Sequence, residues 1–483
     1  MIGLRVMESK TKKFKNSAAT ALKDPKIQQI LSSMDEKFNH ERIVAASATS
    51  NWEEMRNRAR AIKEHTLENL DYYLELVEAN VVKAGGKVFF ANTAEDATQY
   101  ILNLAHSRGV KKVIKSKSML SEEMSLNKHF AGAGIEAIET DLGEYIIQLA
   151  DETPYHIIAP AMHKSKEEVA NLLHEKLGIP KYEEIEDLAG AARQQLRQDF
   201  IDADMSITGA NYIVAETGTL ALVTNEGNGR MCTSMPPIHV AIAGMERIVP
   251  SIEHLSMFLR LLIRSATGQR ISSYVTTVTG PRRNDDEDGP EEFHLVIVDN
   301  GRSKILADPE LRESLYCLRC GACLNTCPIY RKVGGHSYGW VYSGPIGAII
   351  SPMLTNLSDA KDLPYASTLC GACKEVCPVK INIPRMLLHL RSELTEGEKY
   401  PSEKNVSFIE KVAIRIWRIG VSNIFNLRLV NMFLRLFQIP LLSDGRIKNL
   451  PFPLSGWTKY RHFPSVAAMS FHSRWRKYLG KNG

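Results

Sequence analysis

The chain contains no run approaching the ~18 apolar residues that a membrane-spanning helix needs. Its first residues, MIGLRVMESKTKKFKN, are positively charged but lead into no apolar segment of the kind a secretory signal carries. The expected location is therefore the cytoplasm, where thiols stay reduced and clustered cysteines read as metal ligands rather than disulfides. No P-loop and no flavin-type glycine motif occurs. Gly132-x-Gly134-x-x-Ala137 imitates a dinucleotide fingerprint, but it leaves a helix and enters a strand, the reverse of the required order. Acidic residues are scarce near the end. From Pro401 to Gly483 there are 14 Lys/Arg against 3 Asp/Glu, or +11 of a whole-chain +5, which leaves −6 for the rest. A basic tail suits nucleic acid, anionic lipid or an acidic protein. Aromatic and basic residues interleave in RHFPSVAAMSFHSRWRKYLG, but no nucleic-acid motif accompanies them. No nucleic-acid partner is expected. Peripheral contact with the inner membrane face, or a protein partner, stays open. Lys411, Arg415 and Arg418 share one helical face, with Ile414, Trp417, Val421, Ile424 and Phe425 on another, which suits docking or packing on the chain's own core.

With 483 residues, 44% hydrophobic and 24% charged, the chain has the composition of an ordinary globular protein of roughly three domains. Helix formers dominate residues 1–84, and Gly85-Gly86 supplies a stop. A different rhythm follows: KVFFA (87–91), a helix opened by the capping pattern Thr93-x-x-Asp96, KKVIK (111–115), IEAIET (135–140) and HIIAP (156–160), with helices between. Alternating strands and helices imply βαβ units and a mostly parallel sheet covered on both faces. NYIVAE and TLALVTN, separated by Thr217-Gly218, read as an antiparallel hairpin added to that sheet, and IHVAIAG, YVTTVTG and HLVIVDNG complete one α/β domain over 85–304. Glu216, Thr217, Gly218, Thr219, Asn225 and Thr279 to Arg283 gather small, polar and basic groups at strand ends. They are candidates for a ligand crevice or, equally, for turn chemistry.

Seven of the eight cysteines lie between Cys317 and Cys377. The eighth, Cys232, reads as a small buried hydrophobe. CLRCGACLNTCP (317–328) and STLCGACKEVCP (367–378) are copies of one segment, with Ser367 in place of a fourth cysteine. The spacing Cys317-x2-Cys320-x2-Cys323-x3-Cys327-Pro328 is that of bacterial ferredoxins, in which the fourth thiolate ligates the other cluster. Cross-ligation gives one complete site of Cys317, Cys320, Cys323 and Cys377, and a second of Cys327, Cys370 and Cys373 with one corner open. The second is then a [3Fe–4S] centre, or a [4Fe–4S] centre whose last iron takes Ser367, solvent or a ligand. So many thiolates crowd a single tetrahedral zinc, and seven is an odd number for disulfides. His336 and His389 are minority candidates for the open corner. Tyr330, Tyr338, Trp340 and Tyr342 read as shielding. This organisation places a small helical two-cluster ferredoxin-like domain at 305–395 and a basic extension at 396–483.

These segments, with TDLGEYIIQLADETPYHIIAPAMH (140–163), ETGTLALVTNEGNGR (216–230), TGPRR (279–283) and DGPEEFHLVIVDNGRS (288–303), resemble the iron–sulfur lactate utilization protein B family along nearly the whole chain. The seven cysteines match that family's arrangement one by one, so the missing eighth is no departure. The resemblance implies an α/β lactate-utilization (LUD) domain, similar in fold to the ribose-phosphate isomerase and formyltetrahydrofolate cyclo-ligase group. It also implies two iron–sulfur clusters and a part in oxidising L-lactate to pyruvate as an electron-transfer subunit. Two companions are implied, one cysteine-rich and one a single LUD domain, the electron acceptor being undefined. An alternative makes the α/β domain itself the substrate-binding oxidoreductase, with the clusters as internal relay and Glu216, Thr217 and Arg282 as the residues to test.

Overall fold

The computed structural model describes residues 9–272, 274–397, 408–452, 454–459 and 461–478. They fall into two compact units, one within Met1–Lys404 and the other within Asn405–Gly483.

The first unit is built on a six-stranded, wholly parallel sheet in the order β1-β10-β7-β4-β2-β3. Its strands are β1 (Lys87–Ala91), β2 (Lys112–Lys115), β3 (Glu136–Glu139), β4 (Met205–Gly209), β7 (Ile238–Gly244) and β10 (Glu292–Val298). Every residue of the central strand β7 is buried, the continuous apolar pattern of a strand covered on both faces. From β2 the chain adds β3 on one side, and then β4, β7 and β10 on the other, so the order reverses between β2 and β4. In open α/β sheets that reversal leaves a crevice beyond the strands' carboxyl ends. The helix after β1, Ala94–Ser107, opens on the expected capping box: the Thr93 side chain accepts from the Asp96 N–H and the Asp96 carboxylate from the Thr93 N–H. Such a cap is worth about 1 kcal/mol.

Three readings of the sequence are corrected. The hairpin of β5 (Tyr212–Val214) and β6 (Thr219–Thr224) does not extend the parallel sheet. With β8 (Ile248–Val249) and β9 (Tyr274–Val278) it forms a separate four-stranded sheet, ordered β8-β5-β6-β9. HIIAP is no strand, because the Tyr155 N–H reaches the Pro160 carbonyl and His156 Nδ1 accepts from the Ile158 N–H, closing the segment into a loop. β4 itself, MSITG, went unread behind the long polar helix Ile185–Asp202.

The N-terminal helices pack onto the cysteine-bearing region. Phe14 sits edge-on to Tyr338 at 5.4 Å, and the buried Arg56 guanidinium donates to the carbonyls of Cys377 (3.0 Å) and Glu375 (2.7 Å). Within the second unit, helices Phe408–Val421 and Ile424–Phe437 pack against each other but bury no residue. Among the described residues no helix is long and apolar enough to cross a membrane.

Candidate metal centre and the adjoining cavity

The two copies of the cysteine segment fold alike, fifty residues apart. In each, the residue before the second cysteine is left-handed: Arg319 at φ 59° and Leu369 at φ 56°. A left-handed glycine, Gly321 or Gly371, then starts a five-residue helix, Ala322–Thr326 or Ala372–Val376, and the two short helices pack together. Gly321 (φ 75°) is needed twice over, since a Cβ there would also stand 2.9 Å from the Ile158 side chain. The last cysteine of each copy leaves the helix in an extended conformation, with ψ of 121° at both Cys327 and Cys377, which turns it away from its own turn.

None of the seven thiols is in a disulfide. Their mutual influence runs between the two copies. Cys323 feels Cys317, Cys320, Cys373 and Cys377, and Cys320 feels Cys317 and Cys377. Cys373 feels Cys327 and Cys370. The sulfurs of Cys317, Cys327 and Cys377 each accept a backbone N–H, from Arg319, Tyr330 and Ile381, at 3.4, 3.5 and 3.4 Å. Burial, reinforced by neighbouring thiols, pushes Cys373 up to about 12. Burial, with Cys317 adding to it, outweighs the helpful N–H groups of Ile381 and Val379 at Cys377, which rises to about 11. Exposed Cys370 moves the other way, lowered chiefly by the Ala372 N–H. Soft thiol donors gathered in this way from two copies of one turn are the ligand chemistry of a sulfur-bound metal centre.

At the open corner, the Leu369 N–H donates to Ser367 Oγ at 3.0 Å. The Arg319 N–H makes the matching contact to Cys317 Sγ, so serine presents its oxygen where the first copy presents sulfur. The two histidine candidates are engaged elsewhere. His336 Nε2 meets the Thr153 carbonyl at 2.8 Å and His389 Nε2 faces Asp308 at 3.8 Å. Tyr330, Tyr338, Trp340 and Tyr342 are all buried. Cys232 is fully buried, 3.4 Å from Thr140 Oγ1, and burial raises its thiol to about 12.

Beyond the carboxyl ends of β2, β4 and β7 lies a cavity of about 500 Å³. Ser116 to Ser118 line it after β2, Gly209 to Asn211 after β4, and Gly244 ends β7 at its wall. Gly244 has no room for a side chain, because a Cβ would stand 2.1 Å from the Glu246 carboxylate. Cys320, Arg319 and Tyr342 close the cavity from the cysteine-bearing side. Of the strand-end candidates read from sequence, Asn225 alone lines it. Glu216 accepts from the Ile252 N–H at a helix start, Thr217, Thr219 and Thr279 form a hydroxyl chain, and Arg282 pairs with Glu291 at 2.7 Å. Those residues serve turns of the second sheet, away from the parallel strands' crevice. The true lining was signalled by the short polar runs after β2 and β4, but only once β4 is recognised as a strand.

Three family models match in succession: LUD domain over residues 74–298, 4Fe-4S dicluster domain over 313–381, and lactate utilisation protein B, C-terminal, over 389–478. The second spans all seven clustered cysteines and supports iron–sulfur clusters as the group they serve. Lactate utilization protein B of Shouchella clausii is 46% identical over 471 residues, 97% of this chain and 98% of its own. Its namesake in Bacillus licheniformis is 47% identical over 460 residues, and that in Bacillus subtilis 45% over 460, each covering 95% of both chains. With a parallel α/β sheet, a duplicated cysteine segment and this near end-to-end identity, the chain belongs to the lactate utilization protein B family.

Proposed function

We propose that this chain is an iron–sulfur electron-transfer protein of lactate utilization, serving the oxidation of L-lactate to pyruvate beside companion lactate-utilization proteins. The observation that carries this reading is the like folding of two copies of one cysteine segment, whose short helices pack together, and it supports a set of four (Cys317, Cys320, Cys323, Cys377) beside a set of three (Cys327, Cys370, Cys373). Clusters bound there would supply one-electron transfer at two neighbouring positions, which suits a two-electron donor such as lactate.

The chain's own residues prepare these positions. Backbone N–H groups of Arg319, Tyr330 and Ile381 point at sulfur, and such hydrogen bonds favour the thiolate and raise a centre's potential. Tyr330, Tyr338, Trp340 and Tyr342 keep water away. Arg56, anchored on the Cys377 and Glu375 carbonyls, fixes the last turn of the second copy from the N-terminal helices. We keep the division into 1–84, 85–304, 305–395 and 396–483 as the functional organisation that goes with this reading.

Cys317→Ala tests it. The anaerobically purified variant is expected to lose about half its iron and all lactate-dependent reduction of an acceptor in the presence of the companions. Parental activity at half the iron, or a colourless parent carrying zinc, would refute the relay.

A further inference from the structure

The cavity between the parallel sheet and the first cysteine copy is lined by both arginines and carboxylates. Arg302, fully buried, donates to both oxygens of Glu123 and through Nε to Glu246 at 2.9 Å. Glu246 also faces Arg319 Nη2 at 3.7 Å and Arg247 Nε at 3.9 Å. Three guanidiniums thus share two carboxylates, Glu123 and Glu246, and at least one buried positive charge is left over. A buried charge is costly without a counter-ion; Cys317 supplies negative charge beside Arg319, but it leaves hydrogen-bond donors of that guanidinium unpartnered.

Arg319 is the residue placed to receive it. It is 9% exposed, and its Nε and Nη1 have no hydrogen-bond partner although both atoms are buried. Its guanidinium lies 4.4 Å over the Tyr342 ring, which fixes the plane. In the second copy the matching residue is Leu369, so the cation belongs to the cavity-facing copy alone. Planar guanidinium groups pair with carboxylates through two parallel hydrogen bonds.

Asp141 and Glu226 line the same cavity. Asp141 caps the helix Leu142–Leu149 through the Gly143 N–H at 3.1 Å, and Glu226 stands close enough that the two carboxyls influence each other. Lys117 is already paired with Glu144 at 3.0 Å. A second negative charge on the ligand, as on a phosphate ester, would meet the carboxyls of Asp141 and Glu226 that line the cavity. Hydroxyl donors would be welcome there, with Asn211 and Thr224 beside them.

We propose that this cavity binds a small monocarboxylate carrying a 2-hydroxy or 2-oxo group, with its carboxylate held by Arg319 and Arg247 next to Cys320. The choice of acid rests on the lactate-utilization reading, whereas the anion site rests on geometry alone.

The test is titration calorimetry of the full-length, anaerobic protein with L-lactate, pyruvate, acetate and inorganic phosphate, with iron counted in every sample. One saturable site is expected for L-lactate or pyruvate, with acetate weaker and phosphate failing to compete. Arg247→Gln, and Arg319→Gln where it folds, should each weaken binding about tenfold or more at unchanged iron content. Iron-replete protein that binds no carboxylate would overturn the site while leaving the electron-transfer role intact. Undiminished binding by Arg247→Gln, acetate binding as well as lactate, or displacement by phosphate would overturn it too. Arginine-dependent carboxylate binding by a chain without iron would uphold the site and remove the electron-transfer role instead.

Discussion

Ser367 shows how much a single atom decides at the residue scale. Its backbone setting duplicates that of Cys317, down to the N–H two residues on that meets the side chain. A hydroxyl is a harder and less acidic donor than a thiol, so the second position is marked to differ electronically from the first. Ser367→Ala is expected to change the magnetic-resonance spectrum of the three-cysteine centre and to spare the signal that Cys317→Ala abolishes. Identical spectra for parent and Ser367→Ala would mean that the serine oxygen contributes nothing. The thiols were legible because their spacing is itself the chemical requirement. Arg319 was not, because neither its left-handed backbone nor the cavity it faces leaves a mark in the string CLRC.

Among elements, the same contrast holds between those with a local signature and those defined by their neighbours. Thr93 and Asp96 announced their helix because a capping box is a local device. β4 was missed because five residues, buried on both faces and ending in glycine, show no alternation, and only its neighbours β2 and β7 make it a strand. HIIAP looked like a strand through composition, but hydrogen bonds to His156 Nδ1 and to the Pro160 carbonyl close it into a loop. Glu292, at the start of β10, is where the sheet edge responds to pH. Arg108 and Lys87 hold its carboxyl down to about 2, Arg108 foremost. The unfolded chain therefore takes up the proton first, and the stabilisation is complete above about 4.5 and lost as pH falls towards 2. Glu292→Gln should lower the urea midpoint modestly at pH 7, since the group is partly in water, and the gap to the parent should close as pH falls through that window. A gap that stayed constant from neutral to acid pH would show that the pair does not act through charge.

On the scale of the whole molecule, the hydrophobic core clusters contain no residue beyond Leu394. Everything argued above for electron transfer and for carboxylate binding lies within Met1–Lys404. The second unit is different in kind. Ile409, Ile416, Trp417, Phe425 and Phe437 are 58% or more exposed, on helices that bury nothing within their own unit. Its charge is strongly positive, +11 from Pro401 onward. Apolar side chains this exposed and interleaved with cations are the marks of a docking surface. On the proposed electron-transfer role, the chain must meet the proteins that give and take its electrons, and the proposed companions are the expected occupants. A chain ending at Lys404 should therefore keep its iron per chain and its lactate binding, and lose co-purification with the companion proteins. Loss of iron in the shortened chain would show that the extension supports the fold. Full retention of the companions, with loss of binding to anionic vesicles, would assign the surface to the membrane instead.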